Sequence, residues 1–235
     1  EEPLFTLNQY PTKVFEGFVR KSRNIIIISK SNKTGFSATK DAYAKPQNVF
    51  LISGKTTEDV LKLLEEKSAE IIKTIKASEI IENQVRMTKS LISDAQIQKK
   101  FGVSLKIGFG YKYDMVKDKF IWLRKEFTSG YNSILIYEVP IEQIEKDGNV
   151  IANIIQMRDA IGKENIQGTI PNTWMITEEA YAPYLFDVQV AGKKTYLTKG
   201  TWELKNDFMA GPFVNYAIKD TKNNRYLILE GFTYN

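Results

Sequence analysis

The sequence predicts an α+β fold: antiparallel sheets made of meanders and hairpins, with one long helix and one or two shorter helices packed on them. Three observations predict it. Strand-like stretches come in runs joined by short turns, over 103–139 and again over 184–232. One helical stripe runs from 57 to 92 with neither Gly nor Pro. Few helices separate the strands, so the regular βαβ alternation of a parallel sheet is missing. At 235 residues the chain holds one large domain or two small ones, and it can bury roughly 70% of its unfolded surface without disulfides or metal. Two halves are expected, 1–92 and 93–235, each mixing strands with one main helix. That layout suits a distant duplication of two ferredoxin-like halves.

In the first half, residues 4–10 alternate and Pro11 stops them. Residues 14–19 and 24–29 are further strand candidates. Ile25 to Ile28 form a continuous β-branched run, predicting a central strand covered on both faces. The polar stretch 31–45 reads as a loop, and 48–53 as a short strand. Thr56 or Thr57 caps the long helix, with Glu58 and Asp59 in the first turn, where the helix dipole favours acids. Leu64, Ile72 and Ile75 carry its apolar stripe onto a sheet. At 1.5 Å per residue the helix spans roughly 50 Å, so it must cross a broad sheet, bend or project.

In the second half, Ser93-x-x-Gln96 has the spacing of a capping box and Gly102 that of a helix stop. Residues 103–115 alternate: odd positions from Val103 to Met115 are largely apolar and even ones polar or glycine, predicting one long strand with a wet face. Strands 120–127 and 133–139 complete a meander. Asn149 caps a helix that Gly162 ends. Residues 177–181 read as a helical turn. Strands at 184–190 and 195–204 precede a last hairpin, 213–219 and 225–232. Asn206-Asp207 reads as a turn start, and Gly211-Pro212 as a tight exposed turn.

Composition removes several chemistries. With no Cys and no His, there is no thiol nucleophile, no Ser-His-Asp triad and no Cys- or His-ligated metal centre. No cofactor motif is present. The net charge of +5 is uneven. Lys13, Arg20, Lys21, Arg23, Lys30 and Lys33 belong to a stretch, 12–45, with eight basic residues against Glu16 and Asp41. It reads as a patch for an anionic partner or as solvated loop lysines; thin aromatic interleaving argues against nucleic acid. Trp174, Tyr181, Tyr184, Trp202 and Phe208 cluster in or beside predicted loops, with Met209 next to the last, as candidates for a binding surface or for packing at a sheet end. Glu203 and Asp207 flank Asn206 close to Trp202, and Glu178 and Glu179 lie near Trp174. Paired carboxylates beside aromatics are the ingredients of a glycosidase. Equally, they are a strand-face Glu, a turn Asp and a helix-start Glu pair.

The block Gly200-Thr201-Trp202-Glu203-Leu204-Lys205-Asn206-Asp207-Phe208-Met209-Ala210-Gly211-Pro212-Phe213 resembles one in an uncharacterised family of Bacteroidota lipoproteins, domain-of-unknown-function family 4837. Phe5-Thr6-Leu7-Asn8-Gln9-Tyr10-Pro11, Lys119-Phe120-Ile121-Trp122-Leu123 and Asn153-Ile154-Ile155-Gln156-Met157-Arg158-Asp159 fit the same family. The resemblance implies a secreted protein, lipid-anchored in the outer membrane through a cysteine upstream of this chain. It transfers no catalytic residue. Both ends of the sequence read as strand, so the chain is expected to be a piece of a longer protein.

Two functional expectations follow. The first is a non-enzymatic envelope lipoprotein that binds other envelope proteins as an accessory subunit of an outer-membrane complex. The alternative is a glycan-binding or glycan-cleaving envelope protein that uses Glu203 and Asp207 as its catalytic pair beside Trp202.

Overall fold

A reciprocal cap opens the longest helix of the structure, a computed structural model that describes residues 5–234. The Thr56 hydroxyl accepts the Asp59 N–H at 3.1 Å, and the Asp59 carboxylate accepts the Thr56 N–H at 3.0 Å. Helix α1, Thr57–Met87, is 31 residues long, about 46 Å at 1.5 Å per residue. It stops before the predicted Ile92. The chain divides into two units, Glu1–Lys89 and Ser90–Asn235. Ile92 belongs to the second, where its N–H donates to the Ile107 carbonyl.

In the first unit, β1 (Asn24–Lys30), β2 (Gly35–Lys40) and β3 (Asn48–Gly54) form a sheet in the order β1-β3-β2. Strand β1 is parallel to β3, and β2 antiparallel to it. The isoleucine run is therefore an edge strand rather than a central one, with Ile26 38% and Ile28 51% exposed. The central place goes to β3, whose Phe50 and Ile52 are buried under Ile71 and Ile75 of α1. Ile71 takes the buried position expected of Ile72; Ile72 and Leu64 are half-buried. The predicted loop at 31–45 contains β2. Residues 14–19 are not a strand: two single 3-10 turns, Thr12–Val14 and Val19–Lys21, flank them. Residues 5–10 are in no strand, and Leu4, where that predicted strand begins, lies outside the described residues. Buried polar side chains pin this unit together. The Asn48 amide donates to Asn24 Oδ1 and Ser78 Oγ, at 2.8 and 2.7 Å.

The second unit opens with α2, Ala95–Phe101, which Gly102 ends at φ 68°. The predicted capping box does not form; Asp94 is the N-cap residue, and its carboxylate binds Gln98, Ser104 and the Leu105 N–H. An eight-stranded antiparallel, curled half-barrel sheet follows. Its strands are β4 (Lys112–Val116), β5 (Phe120–Phe127), β6 (Gly130–Pro140), β7 (Met175–Thr177), β8 (Tyr184–Val190), β9 (Lys193–Leu204), β10 (Ala210–Asp220) and β11 (Arg225–Tyr234). The order is β4-β5-β6-β11-β10-β9-β7, with β8 also on β9. Two meanders thus join through β6 and β11, with Tyr137 opposite Ile228. Helices α3 (Ile141–Glu145) and α4 (Val150–Asn165) lie between them in sequence. Ile144, Ile154 and Met157 pack with Trp122, Tyr137, Trp202, Tyr226 and Phe232 in the main core. A second cluster gathers Ile97, Phe101 and Ile107 on Ile121, Leu123, Ile136 and Leu227. Neither unit has the strand–helix order of a ferredoxin-like half, and their sheet topologies differ.

Three local expectations are corrected. Only Lys112–Val116 of the predicted strand 103–115 is regular. The apolar alternation survives, except that Phe109 is 74% exposed: its N–H turns to the Ser90 carbonyl, between Gly108 and a Gly110 at φ 96°. Gly162 does not end α4 but lies within it, because a Cβ there would sit 2.1 Å from the Met175 carbonyl oxygen. Gly211-Pro212 is not a turn but part of β10. Pro212 stands opposite Thr201, just beyond the β10–β11 pairing that starts at Phe213, where its missing N–H breaks no ladder bond. The turn falls at 205–209, with Asn206 at φ 64°.

Candidate functional site

Strand β9 organises the surface that the sequence singles out. Ile176 of β7 pairs with Glu203 of β9. The next outward-facing residue of that chain, Glu178, therefore lies diagonally across from Glu203 on the same face. Its N–H holds this place by donating to the Thr201 carbonyl at 2.9 Å. The result is an open cleft of about 590 Å³ whose walls include Ile176, Glu178, Glu179, Glu203, Asp207 and Phe208.

Interaction with the Glu178 carboxyl raises the Glu203 pKa, helped by partial burial and by the charges of Glu178 and Glu179. Glu178 is shifted down, chiefly because its Oε1 accepts the Ala180 N–H at 2.8 Å, and also by its interaction with Glu203. Asp207 lines the same cleft, but its Oδ1 accepts the Phe208 N–H at 2.7 Å and serves the turn. Reading 177–181 as a helical turn concealed the Glu178–Glu203 pairing. Recognising β7 opposite β9 exposes it, since the two positions then share a face.

The aromatic candidates separate. Trp202 is 1% exposed, in edge contact with Phe232 at 5.5 Å, and its indole N–H donates to the Thr233 carbonyl at 3.0 Å. It belongs to the core and offers nothing to a ligand. Met209 also packs partly against that core. Trp174 is half-buried, with the ammonium groups of Lys163 and Lys205 at 5.3 and 5.5 Å from its ring. Tyr181 and Tyr184 are 70% and 71% exposed, and Phe208 is fully exposed. Phe186 of β8, at 46%, was missed by the sequence reading. Its place two residues after Tyr184, on the same face of an outer strand, was the available signal. These rings follow the outer side of β9, from Tyr184 opposite Lys199 to Phe208 on the 205–209 turn.

The basic candidates all lie in the first unit. Arg23 is engaged by Glu79 through both Nε and Nη2. Arg20 lies over the rings of Phe15 and Tyr43, at 5.5 and 4.8 Å. Lys13, Lys21, Lys30 and Lys33 are exposed. Among the described residues no group of carboxylates is arranged to hold a metal ion, and no helix is long and apolar enough to cross a membrane.

No curated protein and no solved structure matches the chain. Residues 1–88 match the family model described as Domain of unknown function (DUF8532). Residues 90–235, more than half of the chain and the whole of the half-barrel unit, match the model described as Domain of unknown function (DUF4837), and the chain belongs to that family.

Proposed function

We propose that this chain is a non-enzymatic lipoprotein of the cell envelope, lipid-anchored in the outer membrane, that serves as a binding subunit of a protein complex there. The envelope location rests on the family resemblance of the sequence. The binding role rests on one observation: a fully exposed Phe208 ring at a hydrogen-bonded hairpin turn. Leu204 N–H to Met209 O at 2.8 Å closes that hairpin, and the Asp207 carboxylate caps it. A large apolar side chain exposed to water contributes little to folding and is suited to a pocket on a partner. Exposed Tyr181, Tyr184 and Phe186 extend the same apolar border.

The test is capture from solubilised native membranes with the parent chain and with Phe208→Ala and Tyr184→Ala. The parent is expected to retain a discrete partner that both variants lose while melting at the parent temperature. An identical set of captured proteins from parent and variants overturns the reading.

Glycan binding is the second reading, favoured by the carboxyls of Glu178 and Glu203 in one cleft beside Phe208. Such a pair can donate to and accept from sugar hydroxyls. Glycan cleavage has less support. Asp207, the carboxylate expected to partner Glu203, accepts the Phe208 N–H and serves the turn instead. Calorimetric titration with envelope oligosaccharides, repeated on Glu203→Gln, separates this reading from the first.

A further inference from the structure

The outer edge of β1 is open, and it is unusually apolar for an edge strand. Proteins normally protect such edges with charges, prolines or bulges along the strand. Here Ile25 to Ser29 carry none of these, Ile26 and Ile28 are 38% and 51% exposed, and charge returns only at Lys30. Helix α1 provides a wall beside this edge. Glu79 faces the β1 side, since it binds Arg23 and Asn24. Helical spacing puts Ile72 and Leu61 on the same side, and Leu61 is 59% exposed. The feature is an apolar strand edge beside one side of α1, with one row of backbone groups left outside the ladder.

The same unit carries a segment without a partner. Residues 5–10 have the alternation of a strand, yet they lie in no ladder, and Leu7 is 83% exposed. Acidic residues, Glu1 and Glu2, precede this segment in the sequence, whereas Lys21, Lys30 and Lys33 flank the β1 edge. Its own chain does not deliver it to that edge. The intervening stretch is folded into the two 3-10 turns, with Val19 buried and Arg20 over Phe15 and Tyr43.

We propose that a second copy of this chain adds its residues 5–10 to the open edge of β1. Backbone hydrogen bonds supply the pairing, and burial of Phe5 or Leu7 against Ile26, Ile28 and Ile72 supplies the apolar contact. Each copy offers one β1 edge and one unpaired 5–10 segment. Reciprocal exchange therefore closes as a two-fold dimer.

The absence of Cys from the chain makes the test clean. A Leu7→Cys, Ile28→Cys double variant is treated with a short thiol-to-thiol cross-linker, and sedimentation equilibrium is run on the parent, Leu7→Lys and Ile28→Lys. The expected results are a covalent dimer, a dimeric parent, and self-association weakened by about tenfold or more in each lysine variant. Both positions are exposed, so the variants are expected to melt like the parent. A monomeric parent at high micromolar concentration overturns the proposal. So does cross-linking within single chains, or a dimer that survives both lysine substitutions.

Discussion

Arg158 of α4 and Glu230 of β11 meet through two parallel hydrogen bonds, Nε to Oε2 at 2.9 Å and Nη2 to Oε1 at 2.7 Å, with only 3% and 1% of their surfaces exposed. The pair is embedded in further contacts. The Asn215 amide donates to Glu230 Oε2 at 2.7 Å, Arg158 Nη1 donates to the Thr177 hydroxyl, and the guanidinium lies 3.4 Å from the Phe213 ring centre. Burial works against the guanidinium charge, and the Glu230 carboxylate outweighs it, so the Arg158 pKa lies above the ordinary arginine value. One buried ion pair thus ties α4 to three strands of the half-barrel.

Removing one partner leaves a buried charge without compensation. Glu230→Ala is expected to destabilise the chain by about 3–5 kcal/mol. The double variant Arg158→Met, Glu230→Leu is expected to recover most of that loss, because no charge then remains to be desolvated. Denaturant unfolding of the parent and both variants checks this. A single variant as stable as the parent refutes the role given to the pair.

Asp220 sets an acid limit to stability. Its carboxylate accepts from Asn223 at 2.6 Å, Lys193 at 3.0 Å and Arg225 at 3.2 Å, and these bonds, led by that of Asn223, lower its pKa from 3.8 to about 2. A depressed folded-state pKa stabilises above the unfolded value, and that contribution disappears as the pH falls from near 3.8 through 2. The amount is on the order of 2 kcal/mol. Asp220→Asn is expected to lower stability by about that much at neutral pH. It should also flatten the acid limb of the stability profile, as measured by urea unfolding at stepped pH.

At Gly162, helix propensity and packing predict opposite signs. In an open helix, Gly→Ala gains about 0.5–1 kcal/mol. Here the new methyl would meet the Met175 carbonyl oxygen at 2.1 Å. Gly162→Ala is therefore expected to cost roughly 1–3 kcal/mol as β7 is pushed off α4. A raised melting temperature contradicts this.

The Glu178 and Glu203 carboxyls are shifted in opposite directions. Glu203, shifted up, contributes stability at low pH that is lost as the pH rises through its folded-state pKa. Glu178, shifted down, contributes stability above the ordinary glutamate value of 4.5 that is lost on acidification. Glu203→Gln keeps a hydrogen-bond donor in place and removes the like charge. Its melting temperature is expected to exceed the parent's at neutral pH, and the difference to vanish under mildly acidic conditions. A difference that does not change with pH excludes this coupling.

Much of the second unit was legible because its signals are local. The meander β4–β5–β6 and the hairpin of β10 and β11 follow from alternation punctuated by turn residues. The cap at Thr56 and the stop at Gly102 follow from backbone groups that need partners within one turn. Ile25 to Ile28 misled for the opposite reason. A β-branched run specifies a strand but not its neighbours, and β1 has a partner on one side only. Residues 5–10 alternate like a strand but find no ladder in their own chain.

The candidate site was legible in composition but not in arrangement. Absence of His and Cys limited its chemistry to carboxylates, amines and aromatics, and Glu203, Asp207 and Phe208 do line one cleft. The partner of Glu203 depended on β7 pairing with β9 across 27 residues of sequence, from Ile176 to Glu203. Trp202 reads as a surface aromatic until β11 brings Phe232 and the Thr233 carbonyl to it. Period, caps and turns determined which segments become strands and helices, because those choices are made by backbone sterics and neighbouring side chains. Tertiary structure alone decided which strand is an edge, which Trp is buried and which carboxyls share a cleft, because ladder pairing and desolvation depend on groups distant in the chain.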